Sequence, residues 1–195
     1  SVRRAERSVV LVEGSSCGLT LQGTGWVARP GLVVTNAHVI SGEHETQVIT
    51  DTGALNAVPV FVDPSKDIAL LRVRGLTDPP LPTRDGTAGG TGVALIGYPG
   101  GGPLTAAPGR VGQSQFIVTR DAYGQGMAQR TVVPIRGSVL HGDSGGPVVD
   151  RSGHVVAMMF AATEAGGGGF GVSMDDIQHA LASPEQRADT GPCVG

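Results

Sequence analysis

The feature that most constrains the fold is a succession of short, β-branched apolar segments separated by glycine and proline. Segments such as Val9 to Val12 and Leu32 to Thr35 alternate with turn signals such as Pro30-Gly31. Residues 19–22 and 25–28 are predicted as two short strand pieces with glycine between them. The chain contains 32 glycines, and only 4% of its residues are aromatic. Strands that recur about every 8 to 12 residues with turns between them are typical of barrels and sandwiches. The sequence therefore predicts an all-β fold.

A proline- and glycine-rich stretch, residues 78–92, divides these segments into two groups. The pattern predicts two all-β halves, followed by one helix. Ser173 can cap this helix, with Asp176 three residues further on. Ile177, Ala180 and Leu181 then form a narrow apolar stripe.

Charge and hydropathy exclude several classes of function. The net charge is -3, and no basic run exceeds the pair Arg3-Arg4, so we expect no nucleic-acid partner. No apolar run approaches the roughly 18 residues needed to span a bilayer, so we expect no transmembrane segment in this chain. No two histidines lie at ligand spacing, so we expect no metal and no other cofactor.

The two cysteines, Cys17 and Cys193, lie near opposite ends of the chain. Two such cysteines can be separate buried thiols, as is usual in the cytosol, or a disulfide. Cys193 lies in a polar tail that would not otherwise pack well, which favours a Cys17–Cys193 disulfide. That bond would imply an oxidising compartment.

Ser144 is the candidate nucleophile, in the segment Gly142-Asp143-Ser144-Gly145-Gly146-Pro147. A serine hydroxyl needs a base to take its proton and N–H groups aimed at the developing oxyanion. Small neighbours allow the amides of Gly142 and Ser144 to face one point. A plain glycine turn would explain Ser-Gly-Gly alone, but it explains the whole segment poorly.

His38 is the candidate base, because it directly follows a buried strand and precedes apolar residues. A core histidine is the competing interpretation. The other histidines lie in less informative surroundings, and His141 is too close to Ser144 in sequence to be the first choice. Asp67 is the candidate acid, because it opens the apolar run 68–71 and would be desolvated there. A turn aspartate paired with Lys66 is the competing interpretation.

Three segments together resemble the signatures of the trypsin-like (chymotrypsin-fold) serine proteases. They are residues 35–38, residues 67–71 and residues 142–147, which carry His38, Asp67 and Ser144 in that order. Residues 31–40, 96–100 and 169–174 resemble bacterial HtrA-type members more closely. HtrA-type members carry a PDZ-like domain after the protease domain, and this sequence contains none.

The resemblance implies two six-stranded β-barrels with the active site between them and a short C-terminal helix. The expected divisions are residues 1–80 for the N-terminal barrel, 81–92 for a linker, 93–174 for the C-terminal barrel and 175–195 for the helix and tail. The resemblance assigns the catalytic roles to His38, Asp67 and Ser144, and the oxyanion hole to the backbone of Gly142 and Ser144.

It further implies a serine endopeptidase that acts on proteins or peptides. We expect a monomer that is located in the periplasm or outside the cell. Some members are membrane-anchored, and any membrane segments would then precede Ser1. By position, the substrate pocket is formed by Ser138, His141, Phe160, Ala161 and Ala162, and its base carries no formal charge. We therefore expect a preference for neutral, apolar side chains.

Two alternatives and one departure remain at this stage. An α/β-hydrolase would need a helix directly after the serine and then Asp and His further along the fold. Here the strand-like segment Gly-Gly-Pro-Val-Val follows Ser144, and the 51 residues after Ser144 are too few for the rest of that fold. A non-catalytic or latent module on the same fold would keep the same residues. The departure concerns Asp143: the chain begins Ser-Val-Arg-Arg, with no apolar terminus to pair with this acid. Asp143 therefore needs another partner, such as a backbone group or an arginine.

Overall fold

The first half of the chain forms a closed six-stranded barrel. The structure, a computed structural model, describes residues 2–163 and 166–193. The barrel strands neighbour one another in the order β1-β2-β3-β6-β5-β4, and β4 pairs with β1 to close the ring. Their bounds are β1 Val9–Ser16, β2 Leu19–Arg29, β3 Leu32–Thr35, β4 Glu45–Thr50, β5 Gly53–Asp63 and β6 Ile68–Val73. A short helix, α1 (Val2–Glu6), precedes them.

The second half forms a barrel of six strands to which one further strand is added. The strand order is β13-β12-β11-β7-β8-β10-β9, and pairing of β13 with β10 closes the ring. Strand β9 pairs with β10 alone and lies outside the ring as one arm of a hairpin. The bounds are β7 Gly92–Gly97, β8 Thr105–Val111, β9 Gln115–Arg120, β10 Met127–Gly137, β11 Pro147–Asp150, β12 Val155–Ala162 and β13 Gly168–Ser173. The predicted all-β architecture of two six-stranded barrels is confirmed.

A helix, α2 (Met174–Ala182), follows β13 directly. The Ser173 hydroxyl accepts a hydrogen bond from the amide of Asp176 at the N-terminus of α2, as its capping pattern predicts. Ile177, Ala180 and Leu181 are buried. Within the described ranges, no helix is both long and apolar enough to cross a membrane.

Three apolar cores stabilise this arrangement. One fills the first barrel and another fills the second. The third lies between them, where Trp26 and Leu70 of the first barrel pack with Ile96 and Met158 of the second and with Ile177 of α2. The two barrels are therefore joined by a continuous apolar interface.

One strand differs from the sequence-based expectation. Residues 19–22 and 25–28 were expected to be separate strand pieces, but they belong to the single strand β2. The pairing with β1 runs without interruption from Leu19 to Trp26, so the intervening glycines do not break the strand. The expected linker is hydrogen-bonded to both barrels, through Leu81 N to Val27 O (2.9 Å) and Arg84 N to Val155 O (2.9 Å).

The chain after α2 returns to the first barrel. The amides of Gln186 and Ala188 donate to carbonyls of β5. The structure then joins Cys193 to Cys17, the residue that follows β1, in a disulfide. The tail is thus fastened across the outside of the first barrel.

Candidate active site

His38 and Asp67 meet because β3 and β6 are neighbouring antiparallel strands. His38 begins a short 3-10 turn (His38–Ile40) just beyond β3, and Asp67 immediately precedes β6. The Nδ1 atom of His38 lies 2.7 Å from Oδ2 of Asp67. The backbone amide of His38 donates to Oδ1 of the same carboxylate at 3.0 Å. Since a carboxylate only accepts, Nδ1 carries a proton, and in the neutral ring Nε2 then has a free lone pair.

The backbone at Asp67 has a strained conformation. Its φ is +58°, in the left-handed region that non-glycine residues seldom adopt. The side-chain amide of Asn36 donates to the carbonyl oxygen of Asp67 at 2.8 Å and helps to hold this conformation. Asn36 is fully buried, and sequence reasoning did not single it out.

Burial and mutual attraction set the charges of this pair. Burial lowers the pKa of His38, but the charge and hydrogen bond of Asp67 raise it, and the net pKa lies above 6.5. Burial raises the pKa of Asp67, but His38 lowers it, and the net pKa lies below its ordinary value. At neutral pH Asp67 is therefore an ionised acceptor that favours a protonated His38 ring.

Ser144 lies in a tight loop between β10 and β11 whose shape requires glycine. Gly142 has a φ of +97° and Gly145 one of +87°. A Cβ atom at Gly145 would collide with the carbonyl oxygen of Thr24 on β2. The glycines therefore allow this loop of the second barrel to approach the backbone of the first.

Thr24 is the residue that joins the Ser144 loop to the first barrel. Its amide donates to the carbonyl of Ser144 at 2.8 Å, and its hydroxyl donates to the carbonyl of Gly142 at 2.7 Å. Its own carbonyl accepts from the Thr35 hydroxyl at 2.7 Å, at the end of the strand that leads to His38. Ser144 and His38 are thus held on the same side of the first barrel.

Gly100 orients the peptide group that links His141 to Gly142. The amide of Gly100 donates to the carbonyl of His141 at 2.7 Å. In a trans peptide the N–H of Gly142 points away from that carbonyl. Within the described ranges, the amides of Gly142 and Ser144 have no protein acceptor. No hydrogen bond links the Ser144 hydroxyl to the His38 ring in the part of the chain described, as is often so without substrate.

Comparison with known proteins identifies the family to which this chain belongs. Residues 23–158 match the model of the trypsin-like peptidase domain. The chain belongs to the trypsin-like peptidase family.

The peptidase chain is 37% identical over 200 residues to the serine protease Rv3671c of Mycobacterium tuberculosis, covering 99% of this chain and 50% of that protein. It is 35% identical over 145 residues to the bovine mitochondrial serine protease HTRA2, covering 70% of this chain and 30% of the relative. The chain therefore spans at most about half the length of these curated relatives.

Solved structures agree with the sequence comparison. The active form of the Rv3671c protease from M. tuberculosis superimposes with a TM-score of 0.95 at 36% identity, covering 100% of this chain and 88% of that one. The inactive form of the same protease superimposes with a TM-score of 0.82 at 36% identity, covering 93% of this chain and 90% of that one. The peptidase thus matches both forms in fold, and the active form over its whole length.

Asp143 has a local partner. Its Oδ2 atom accepts a hydrogen bond from the amide of Leu140 at 2.9 Å, and its Oδ1 lies against Gly97 of β7. Burial raises the pKa of Asp143, and the hydrogen bond from Leu140 lowers it, with a net increase. The acid before Ser144 thus closes its own loop through a backbone amide.

The residues predicted to line the substrate pocket lie around the Ser144 loop and β12. Ser138 and His141 are exposed, and Phe160 and Ala161 are half-buried. The carbonyl of Ala161 packs against Gly169 of β13, which also contacts the buried Val139. Sequence reasoning did not identify Val139 as part of this region.

The remaining histidines have other surroundings. His44 and His179 are exposed, and His154 lies 3.6 Å from Asp150. Lys66 pairs with Asp176 at 3.4 Å and not with Asp67. The described residues contain no cluster of three or more metal-ligating side chains.

Sequence reasoning assigned no role to Asn36, Thr24 or Gly100. For Thr24 the signal was present, because two glycines flank it inside a strand and glycine there often marks a close backbone approach. Gly100 lies in a segment that resembles HtrA-type members, but its contact had no local signal because its partner, His141, lies far away in the sequence.

Proposed function

We propose that this domain is a serine endopeptidase that cleaves peptide bonds through an acyl-enzyme on Ser144. The observation that carries the proposal is the contact between the His38 ring and the buried carboxylate of Asp67, at 2.7 Å. The Ser144 loop is anchored by Thr24 to the same barrel. This arrangement supplies a nucleophile, a base and an orienting acid.

The chemistry follows from the groups present. The Ser144 oxygen attacks the substrate carbonyl while Nε2 of His38 takes its proton. The carbonyl oxygen becomes an oxyanion and accepts hydrogen bonds from the amides of Gly142 and Ser144. The His38 imidazolium, stabilised by Asp67, then donates its proton to the leaving amine. Water, deprotonated by His38, hydrolyses the acyl-enzyme and restores Ser144.

The loop geometry supports a catalytically competent state. The Gly142 and Ser144 amides have no protein acceptor in the described part of the chain, so both are available to an oxyanion. The backbone also superimposes better on the active than on the inactive form of the Rv3671c protease, with TM-scores of 0.95 and 0.82. We infer that no large loop rearrangement precedes substrate binding.

Substrate preference is proposed from the pocket residues. Ser138, His141, Phe160, Ala161 and Ala162 place no acidic side chain at the base, so the pocket suits neutral, apolar side chains. A panel of peptide substrates that differ only before the scissile bond tests this. Faster cleavage after Arg or Lys than after Leu or Val would contradict it.

The cellular setting is proposed from the disulfide. A disulfide persists in oxidising compartments, which supports a periplasmic or secreted location. The proposal extends to a monomeric domain of a longer, membrane-anchored protein, since the matched relatives are about twice as long. Alkylation of cells with a membrane-impermeant thiol reagent before and after reduction tests the location.

Labelling with a fluorophosphonate probe tests the central proposal. We expect the folded wild-type domain to be labelled and Ser144→Ala to be unlabelled. Ser152→Ala, which changes an exposed serine in the β11–β12 turn, is the matched control and should be labelled normally. A folded wild-type domain that resists the probe between about pH 5 and 9 would instead indicate a latent or non-catalytic module.

A further inference from the structure

Arg130 on β10 is a buried cation that has no carboxylate partner among the described residues. It is 3% exposed, and its guanidinium lies 5.1 Å from the centre of the Phe160 ring. One terminal nitrogen donates to the carbonyl of Arg120 at 2.8 Å, while Nε has no hydrogen-bond partner among the described residues. None of the ion pairs in ranges 2–163 and 166–193 includes Arg130. Burial of a charge in this state is costly unless another charge compensates.

The compensating charge lies across a shared cavity. Arg130 and Phe160, from the second barrel, line a cavity of about 330 Å³ together with His38 and Asp67 of the first barrel. Asp67 is 3% exposed, so both charges are largely removed from bulk water. Electrostatic interactions between partly desolvated charges are stronger than those between charges at the surface.

We propose that Arg130 is a positioning residue for the hydrolysis proposed above: its buried charge favours the ionised form of Asp67 and the neutral form of the His38 ring, the form that takes the proton of Ser144. This inference rests on the proposed function, in which only the neutral ring can act as a base.

The direction of each effect follows from the charges. Burial lowers the pKa of His38, Asp67 raises it through charge and hydrogen bond, and the positive charge of Arg130 lowers it again. Burial raises the pKa of Asp67, and after His38 the charge of Arg130 also lowers it. Arg130 therefore moderates the rise that Asp67 imposes on His38 without weakening Asp67 as an acceptor.

The other charged groups around this cavity are placed differently. Arg120 is exposed, and the carboxylate of Asp121 accepts backbone amides of its own hairpin. Lys66 is directed to Asp176 at 3.4 Å. The Tyr123 hydroxyl donates to the carbonyl of Thr190 at 2.9 Å, with its pKa raised to about 12 chiefly by burial, so it is neutral. Arg130 is thus the buried cation of this group.

Titration of the His38 ring by NMR in a Ser144→Ala background tests the proposal without requiring activity. Arg130→Met removes the charge and keeps the bulk, and we expect the His38 midpoint to rise by about 0.5 to 1 pH unit. Arg130→Lys retains a charge at this position and should keep the midpoint near that of the parent. Arg136→Met removes an exposed arginine from the same strand and is the matched control, with no expected shift.

Kinetics provide the second readout. With Ser144 intact, the midpoint of the acidic limb of the kcat/KM profile should move to higher pH in Arg130→Met by the same amount. On that limb kcat/KM should fall roughly 3- to 10-fold, and at high pH it should change little. Arg130→Lys should restore most of this loss. A purely structural role would lower kcat/KM equally at every pH.

The outcomes separate the two proposals. If the wild-type domain is labelled at Ser144 but Arg130→Met leaves the His38 midpoint unchanged or lowers it, the role of Arg130 is refuted and the proposed function stands. If Arg130→Met does not fold, Arg130→Gln replaces it. Failure of both neutral variants to fold, with Arg130→Lys folded, would assign Arg130 a structural role only. Absence of labelling in the wild type refutes the proposed function itself.

Discussion

At the residue scale, the His38–Asp67 pair depends on a strained aspartate held by its neighbours. Asp67 has a φ of +58°, and its carboxylate contacts both the amide and the ring of His38. A single residue thus sets both the position and the tautomer of the imidazole. Asn36, which holds the Asp67 carbonyl, is part of the same unit.

Asp67→Asn tests the role of the carboxylate. An amide can form a similar contact, so the fold should persist, but it favours the wrong tautomer of His38 and removes the charge that stabilises the imidazolium. We expect kcat to fall by about 10⁴-fold. Steady-state kinetics and circular dichroism measure the two effects.

Asp63→Asn is the control for this substitution, because among the described residues the Asp63 carboxylate accepts hydrogen bonds only from the adjacent turn residues Ser65 and Lys66. It should retain nearly full activity. Turnover of Asp67→Asn within tenfold of the wild type would contradict the assigned role.

Sequence reasoning identified the residues that carry distinctive chemistry and missed those that act through contacts alone. His38, Asp67 and Ser144 stand out because their side chains and their strand-end or glycine-rich surroundings are unusual. Thr24 lies between two glycines, which indicate a close backbone approach, but only the structure shows that its partner is Gly142. Local patterns do not identify the distant partner of such a contact.

At the element scale, the segment after α2 stabilises the first barrel from outside. The amide of Gly42 donates to the carbonyl of Thr190 at 3.2 Å, and the Thr190 hydroxyl donates to the carbonyl of Glu43 at 2.9 Å. These contacts reach the loop that follows His38. The disulfide joins residues 176 positions apart and fixes the tail in this place.

Cys193→Ser removes that bond and should lower the free energy of unfolding by about 2 to 4 kcal/mol, because the unfolded chain regains the freedom of a very long loop. Urea denaturation under non-reducing conditions measures this loss. A reducing agent should destabilise the wild type to the same degree and leave Cys193→Ser unaffected. Equal stability of the wild type with and without reductant would contradict the prediction.

Elements were predictable where local patterns decide them. The cap and apolar stripe of α2 predicted its position correctly. The division of β2 into two pieces was wrong, because pairing with β1 overrides the glycines at positions 23 and 25. The return of the tail to β5 had no sequence signal, since its contacts are backbone hydrogen bonds.

At the scale of the whole molecule, the shared core between the barrels makes the site a joint product of both halves. His38 and Asp67 come from the first barrel, while Ser144 and Arg130 come from the second. The apolar interface around Trp26 packs the two barrels together and so holds these four residues near one another.

Glu43 links the stability of the whole molecule to pH. It is 4% exposed, Thr46 donates to its Oε2, and its Oε1 has no partner within the described part of the chain. Burial raises its pKa from 4.5 to about 7; the Thr46 hydrogen bond lowers it, and the charge of Glu13 raises it. Between these values the folded carboxyl keeps a proton that the unfolded chain has released, so stability falls as pH rises.

The free energy of unfolding of the wild type should therefore fall by about 3 kcal/mol between about pH 4.5 and 8, and Glu43→Gln should not show this fall. Chemical denaturation of both proteins at several pH values measures the difference. Glu45→Gln, an exposed neighbour, is the control and should keep the wild-type pH dependence. A constant difference between the wild type and Glu43→Gln across this range would refute the prediction.

The sequence by itself determined the class of the fold, its division into two halves and the order of His38, Asp67 and Ser144. These follow from local features: strand periodicity, turn residues and the chemistry of single side chains. Only the tertiary structure decided how Thr24 anchors the Ser144 loop, which amide Asp143 accepts and where Arg130 lies. The reason is separation along the chain: Thr24 and Gly142 are 118 residues apart, and their contact exists only once both barrels have formed.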